Sequence, residues 1–166
     1  MKTNGINLNL FFSLLAIVTM FSCSDDDNND VQVEQWEIEL EQAKMATSAY
    51  TDIDVATTEG RIDVSGYVPN MGHHFLNPAL ADGTFNLTEP EFILYAPDGN
   101  GDMQMVAIEY GIVPDDPENP GSPPEGFTGS EDEWFFNEMI GMWTLHVWTI
   151  MENPDGIFAP HNPNLD

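Results

Sequence analysis

The sequence is nearly without positive charge. Three of its 166 residues are Lys or Arg, whereas 29 are Asp or Glu, so the formal net charge at pH 7 is −26. Nucleic-acid binders neutralise phosphates with Lys and Arg, and electrostatic docking onto anionic lipid headgroups needs the same side chains. The composition therefore excludes nucleic-acid binding and electrostatic docking onto a membrane.

Cysteine is equally scarce, since Cys23 is the single one in the chain. One cysteine excludes an intramolecular disulfide and a cysteine-rich zinc site. The sequence also lacks a Gly-Lys-Ser/Thr phosphate loop and a Gly-x-Ser-x-Gly nucleophile elbow. The groups that remain for chemistry are four histidines and many carboxylates.

The first 22 residues have the pattern of a secretory signal peptide. Lys2 supplies a positive charge, and the mainly apolar stretch from Leu8 to Phe21 is too short to span a bilayer comfortably. The stretch ends at Ser22-Cys23, which resembles a bacterial lipobox, where the cysteine is lipidated and becomes the first residue. An ordinary cleavage site that leaves a free thiol is the alternative.

A run of Ser, Asp and Asn over residues 24–30 predicts a solvated tether behind the lipid anchor at Cys23. The run also resembles the Ser-Asp-rich signal that sends some lipoproteins to the outer face of the outer membrane. We therefore expect an outer-membrane lipoprotein displayed at the cell surface, with a periplasm-facing position as the alternative. The expected organisation is a signal peptide at 1–22, the lipidated cysteine and tether at 23–30, and one domain at 31–166.

Two helices are predicted in the domain. Residues 31–58 carry apolar side chains at spacings of three and four, which is typical of an amphipathic helix, and Gly60 is a plausible C-terminal cap. Ser130 and Glu133 form a capping-box pattern, which predicts a second, short helix through about Met139.

The best strand pattern is a hairpin between residues 91–96 and 103–113, because a turn rich in Gly and Asn separates two β-rich runs. Alternation places Met105, Ala107 and Glu109 on one face of its second strand. Acidic and amide residues in the turn also imitate the start of a calcium loop, which is the alternative to a plain turn.

Shorter strands are expected around 62–64 and 74–76, and an apolar strand over 142–150. Five prolines and three glycines make 114–129 an exposed loop. The order of elements predicts an α+β fold, in which an antiparallel sheet carries the N-terminal amphipathic helix and the second short helix on one face.

Polar residues inside apolar strands indicate where a site would lie. His146 stands in Trp-Thr-Leu-His-Val-Trp, and Glu109 stands in an equally apolar strand. Buried carboxylates are rare unless they are paired or bind a metal, and a buried imidazole must satisfy its ring nitrogens. His74, Glu109 and His146 would form the arrangement that holds catalytic Zn or Fe(II) if they met across the sheet. A buried polar network, with His146 donating to Glu109, is the alternative, and general acid–base catalysis without a metal is a third.

Several segments resemble a family of small exported bacterial proteins and lipoproteins of uncharacterised function. The matching motifs are Met-Gly-x-His-x-x-Asn-Pro-x-Leu at 71–80, Glu-Tyr at 109–110, Leu-His-Val-Trp at 145–148 and Asn-Pro-x-Gly-x-Phe-Ala-Pro-x-Asn-Pro at 153–163. The resemblance implies a shared polar centre at His74 and His146, supports Glu109 beside them, and names no substrate. His161 stands where the family pattern has an aromatic residue.

These observations lead to three functional hypotheses. The first is a membrane-anchored acidic lipoprotein that binds a small ligand or a divalent transition metal (Zn, Fe or Cu) at His74, Glu109 and His146, with Asn77 and Tyr110 in supporting positions. The second is a metal-dependent enzyme that uses the same three residues. The third is a non-catalytic structural protein of the cell envelope, whose histidines only stabilise the core.

Overall fold

The computed structural model describes residues 32–129 and 132–165. Three features predicted from the sequence lie outside the described residues: the signal peptide, the lipidation of Cys23 and the tether at 24–30. Gln32–Asp166 form one compact unit, and the unit has an apolar core of its own. No helix in the described part of the chain is both long and apolar enough to cross a membrane.

The N-terminal helical region is divided into three pieces. Helix α1 spans Gln35–Thr47, a 3₁₀ turn follows at Ser48–Thr51, and helix α2 spans Ile53–Thr58. The predicted single helix is interrupted at Asp52, whose side chain accepts a hydrogen bond from the Asp54 N–H and caps α2. Gly60 follows α2 with φ of +88°, a left-handed conformation that favours glycine and that fits the predicted cap.

The six strands form one antiparallel sheet, so the α+β class is confirmed. Their order across the curled sheet is β1-β2-β3-β4-β6-β5, which leaves β1 and β5 at the two edges. The strands are β1 at Ile62–Val68, β2 at Gly72–Leu76, β3 at Phe92–Pro97, β4 at Met103–Ile112, β5 at Phe135–Asn137 and β6 at Met142–Val147.

The predicted helix after residue 130 is wrong. Ser130 lies outside the described residues, and the described chain from 135 to 137 is the edge strand β5, which pairs with β6 through Phe135↔Thr144 and Phe136↔Trp143. The ring centroids of Phe136 and Trp143 are 5.4 Å apart, and such a cross-strand aromatic pair stabilises a hairpin. The capping-box pattern is local and carries no information about this pairing. The second short helix of the fold is α2.

The predicted hairpin is confirmed as β3 and β4, and a bulge changes one detail of it. Leu94 pairs with Ala107 but Tyr95 pairs with Met105, so Val106 is an extra residue on β4. Met105 therefore packs in the same cluster as Tyr95 and does not share a face with Ala107, as strict alternation predicted. In the turn, the Asp98 carboxylate accepts backbone hydrogen bonds from residues 100 and 102, as a plain turn requires.

The two faces of the sheet have different environments. On one face, Ile93, Tyr95 and Ile108 pack in one cluster with Leu40 of α1 and Ala56 of α2. The other face carries a smaller apolar cluster, whose buried members are Phe92, Leu94, Ala96, Val106, Ala107, Trp148 and Leu165. None of the described residues of α1 or α2 belongs to this second cluster, so part of that face is left to line a cavity.

Candidate metal site

Strands β2, β4 and β6 each supply one polar side chain to the face opposite the helices. His74 is on β2, Glu109 on β4 and His146 on β6. Glu109 and His146 are direct cross-strand partners. His74 is separated from them by β3, on which Leu94 is paired with both His74 and Ala107. The antiparallel register therefore brings together residues that lie 35 and 37 positions apart in the sequence.

The three side chains converge, which meets the condition that the sequence left open. One ligand atom from each residue lies within 4.8 Å of the ligand atoms of the other two. His74 Nε2 is 3.6 Å from Glu109 Oε2, and His146 Nε2 is 3.6 Å from Glu109 Oε1. The side chains are 12%, 5% and 6% exposed for His74, Glu109 and His146, so the cluster is almost withdrawn from water.

These separations are too long for hydrogen bonds and suit a shared ion. An N–H···O hydrogen bond is about 2.7–3.2 Å long. Tetrahedral ligands at about 2.0–2.2 Å from one Zn²⁺ are in turn separated by about 3.4 Å. His146 Nε2 is buried and has no hydrogen-bond partner among the described residues. The expected donation from His146 to Glu109 is therefore absent, and the polar-network alternative loses its central bond.

Ser65 of β1 contacts both the backbone and the ring of His74. Its hydroxyl donates to the Gly66 carbonyl oxygen at 2.7 Å, and its Oγ accepts from the His74 backbone N–H at 3.0 Å. With the hydroxyl proton directed to Gly66, the 3.0 Å contact between Ser65 Oγ and His74 Nδ1 is a hydrogen bond in which Nδ1 donates. His74 Nε2 then presents a lone pair toward Glu109, which is how an outer hydrogen bond orients a metal-binding imidazole.

Burial leaves the metal-free cluster uncharged at pH 7. Desolvation raises the pKa of Glu109 to about 8; a Thr144 hydrogen bond opposes the rise, and the charge of Glu91 adds to it. Desolvation lowers the pKa of His74 to about 4 and that of His146 to about 3. Glu109 is therefore mainly protonated at pH 7 and both imidazoles are neutral.

Glu91 shows how this chain buries a carboxyl group when the protein itself compensates it. Its Oε2 accepts a hydrogen bond from the Gly111 N–H at 2.9 Å. Burial raises its pKa to about 7, and the positive charge of Arg61 works against that rise. In the described residues both cations are engaged away from Glu109: Arg61 donates to the Glu91 and Pro90 carbonyls, and Lys44 pairs with Glu41. Glu109 has Thr144 and two neutral imidazoles beside it, and no cation among the described residues.

The cluster opens onto a cavity of about 1020 Å³. Both edge strands line it, with Val64, Ser65 and Val68 from β1 and Phe135 and Asn137 from β5. All three residues of the cluster are in its wall, as are Thr144 and His161. Three ligands on the sheet and an open space on the cavity side match the arrangement of a metal site that keeps a free coordination position.

The two residues predicted to support the cluster lie elsewhere. Tyr110 follows Glu109 on β4 and therefore points to the helix-covered face, where its hydroxyl donates to the Leu87 carbonyl at 2.7 Å. The Asn77 side chain accepts from the Ala79 N–H in a local turn. Ser65 and Thr144 take the supporting positions. Thr144 could be found from its place two residues before His146 on the same strand, whereas nothing in the sequence pattern singles out Ser65.

His73 and His74 are adjacent on β2, so alternation directs their side chains to opposite faces of the sheet. The Nδ1 of His73 lies 2.8 Å from Asp63 Oδ2, a contact that lowers the pKa of Asp63 against the effect of burial. His73 is therefore held by a carboxylate of β1 and does not reach the cluster that contains its neighbour. The cluster at His74, Glu109 and His146 is the one group of potential ligands found in the described residues.

Comparison of the chain with protein-family models, with curated proteins and with solved structures finds no match. The resemblance to a family of small exported bacterial proteins stays a prediction. Functional inference therefore starts from the geometry of the cluster and of the cavity above it.

Proposed function

We propose that this chain is an exported, lipid-anchored acidic protein whose domain binds one divalent transition metal ion through His74, Glu109 and His146. The anchoring part is drawn from the sequence alone, through the signal-peptide pattern at 1–22 and the lipobox-like Cys23. The metal-binding part is supported by the cluster, and it is independent of where the anchor places the protein.

One observation carries the metal proposal: the buried, unpartnered Nε2 of His146 lies 3.6 Å from a buried carboxyl group that has no cation beside it. Each of these groups is costly on its own, because a buried polar atom without a partner loses its hydration. A divalent ion among the three ligand atoms would accept both lone pairs from the imidazoles and would compensate the charge of ionised Glu109.

The ligand set favours zinc or ferrous iron. Two imidazoles and one carboxylate are found in catalytic zinc sites, and the same set forms the facial triad of non-haem Fe(II) proteins. The absence of a thiolate among the three ligands argues against a Cu(I) site of the soft type.

The direct test is the metal content of the chain from Ser24 to Asp166, which omits Cys23 and carries no histidine tag. We expect about one Zn or Fe per chain, because each chain has one set of three ligands. His74→Ala combined with His146→Ala should abolish it. His73→Ala and Glu91→Gln are matched controls, because they alter the neighbouring histidine and the other buried acid, and both should retain the metal.

A different result would favour the structural alternative. If the purified chain holds no metal, and neither Zn²⁺ nor anaerobic Fe²⁺ binds on titration, the cluster is not a metal site. A large loss of stability in the double histidine variant would then assign the two imidazoles to the core of a structural envelope protein.

Metal-dependent catalysis is the second candidate, and the cavity is the observation that favours it. A three-ligand ion facing a space of about 1020 Å³ would have a coordination position accessible to water or substrate. Azide added to the Co²⁺-substituted protein should change the visible absorption bands of the ion if that position is open. An unchanged spectrum at saturating azide would leave metal binding without catalysis.

A further inference from the structure

The cavity wall is mainly apolar outside the cluster. Val64 and Val68 come from β1, Leu76 from β2, Phe92 from β3 and Met142 from β6. Ligand pockets combine such a wall with a few convergent polar groups. The polar groups here are the cluster and four further lining residues, Ser65, Asn137, Thr144 and His161. The volume of about 1020 Å³ is at the upper end of the range for small-molecule pockets, about 300–1,000 Å³.

The mouth of the cavity carries exposed apolar side chains. Met139 is 92% exposed, Phe135 60%, and Ile140 and Val64 are each 49% exposed. All four line the cavity, although they come from opposite edges of the sheet and from the turn between β5 and β6. Exposed apolar residues gathered around one opening indicate a contact surface, whereas single exposed apolar residues are normal.

Outside the cluster, the described wall has no Lys, Arg, Asp or Glu that would pair with a charged ligand. Its described residues include neither Lys nor Arg, and Glu109 is its single Asp or Glu. An anionic ligand would also approach a chain of net charge −26. A cationic ligand would find no carboxylate in the described wall other than Glu109, which the proposed function already uses as a metal ligand.

We infer that the cavity binds an uncharged, largely apolar small molecule. The inference deepens the proposed function, because a molecule in this cavity would meet the metal ion at His74, Glu109 and His146. The binding of the apolar body depends on the wall alone, so it is open to test with and without a metal.

Two fluorescent probes distinguish binding through apolar contacts from binding through charge. N-phenyl-1-naphthylamine is uncharged, and 8-anilinonaphthalene-1-sulfonate has the same aromatic framework with an added sulfonate. With the chain from Ser24 to Asp166, whose compact unit holds its own core, we expect saturable 1:1 binding of the uncharged probe. We expect at least tenfold weaker binding of the sulfonate in metal-free protein, where no bound cation faces the cavity.

A pair of isoleucines locates the probe. Ile140 and Ile150 are 49% and 55% exposed, and only Ile140 lines the cavity. Ile140→Asp should lower the affinity for the uncharged probe at least fivefold, whereas Ile150→Asp should change that affinity less than twofold. Met139→Lys adds a cation at the mouth and should strengthen the sulfonate probe selectively.

Three results would overturn the inference: no saturable binding of the uncharged probe, equal affinity for both probes, or equal weakening by the two aspartate variants. Metal content measured on the same samples separates the two proposals. Protein that binds the probe but neither contains a metal nor takes up Zn²⁺ or Fe²⁺ on titration would defeat the metal proposal alone. Stoichiometric metal without probe binding would defeat the ligand inference alone.

Discussion

Replacing Glu109 by Gln gives the sharpest prediction, because the amide keeps the shape of the carboxyl group but never ionises. Desolvation raises the pKa of Glu109 from an ordinary 4.5 to about 8 in the metal-free fold. The folded chain therefore holds this proton more tightly than the unfolded chain. The favourable contribution of the group is fully present below pH 4.5, and it is lost as the pH rises toward 8.

The expected magnitude follows from the size of the shift. A change of one pKa unit is about 1.4 kcal/mol, so the wild type should lose on the order of 5 kcal/mol relative to Glu109→Gln between pH 4.5 and 8. The difference should be flat above about pH 9, where the carboxyl group is ionised in both states. The lowered pKa values of His74 and His146 act in the other direction, because their contribution is lost as the pH falls below 6.5.

Urea unfolding of both proteins in the presence of a chelator, from pH 5 to pH 9, measures this difference. Contributions from the histidines and from the repulsion among the many surface acids are common to both proteins and largely cancel. A difference in unfolding free energy that does not change with pH would refute the burial argument. Saturating Zn²⁺ should then stabilise the wild type by mass action and leave the variant unchanged.

Three further predictions concern the same region. At pH 7, binding of Zn²⁺ should release about 0.9 proton per ion from Glu109, and at pH 9 about 0.1, in addition to any proton that a zinc-bound water gives up, because Glu109 must ionise from a pKa of about 8; calorimetry in two buffers of different ionisation enthalpy measures the release, and no release at pH 7 would contradict it. Ser65→Ala should weaken metal binding by about 10–100-fold without unfolding the chain, because His74 loses the hydroxyl that contacts its Nδ1 and orients the ring; Ser48→Ala is the control, and equal affinities in a competition titration would argue against this role. Gly72→Ala should destabilise the fold by at least about 2 kcal/mol, since Gly72 has φ of +92° and a Cβ there would lie 2.6 Å from the Tyr95 carbonyl oxygen; Gly99→Ala, with open space around it, should stay within about 0.5 kcal/mol in the same unfolding assay, and equal losses would refute the steric reason.

Local patterns were sufficient to predict the strands that build the site. Alternation and a Gly-rich turn predicted β3 and β4, and both signals arise from neighbouring residues. The polar residues of the site were detectable because Glu109 and His146 interrupt apolar strands, where desolvation makes an uncompensated group costly. Their convergence with His74 depends on the strand order, which places β2, β4 and β6 near one another in the sheet. Side chains that these strands carry on the same face can therefore meet.

The features that sequence patterns missed depend on contacts between distant residues. The bulge at Val106 moves Met105 to the helix-covered face, because one extra residue reverses the alternation before it. The capping-box pattern near 130 is overridden by the pairing of β5 with β6. Ser65 is a common residue in an exposed strand, and its role depends on the approach of β1 to His74.

The acidic surface and the buried cluster would hold a cation in different ways, and salt should distinguish the two. Most of the 29 carboxyl groups attract divalent ions diffusely, and salt screens that attraction over about 8–10 Å. An ion inside the cluster would be withdrawn from salt and bonded to two neutral imidazoles and one carboxylate, so ionic strength should affect its retention little. An ion that stays bound after exchange into about 0.5 M salt therefore belongs to His74, Glu109 and His146, whereas an ion of the diffuse atmosphere is lost.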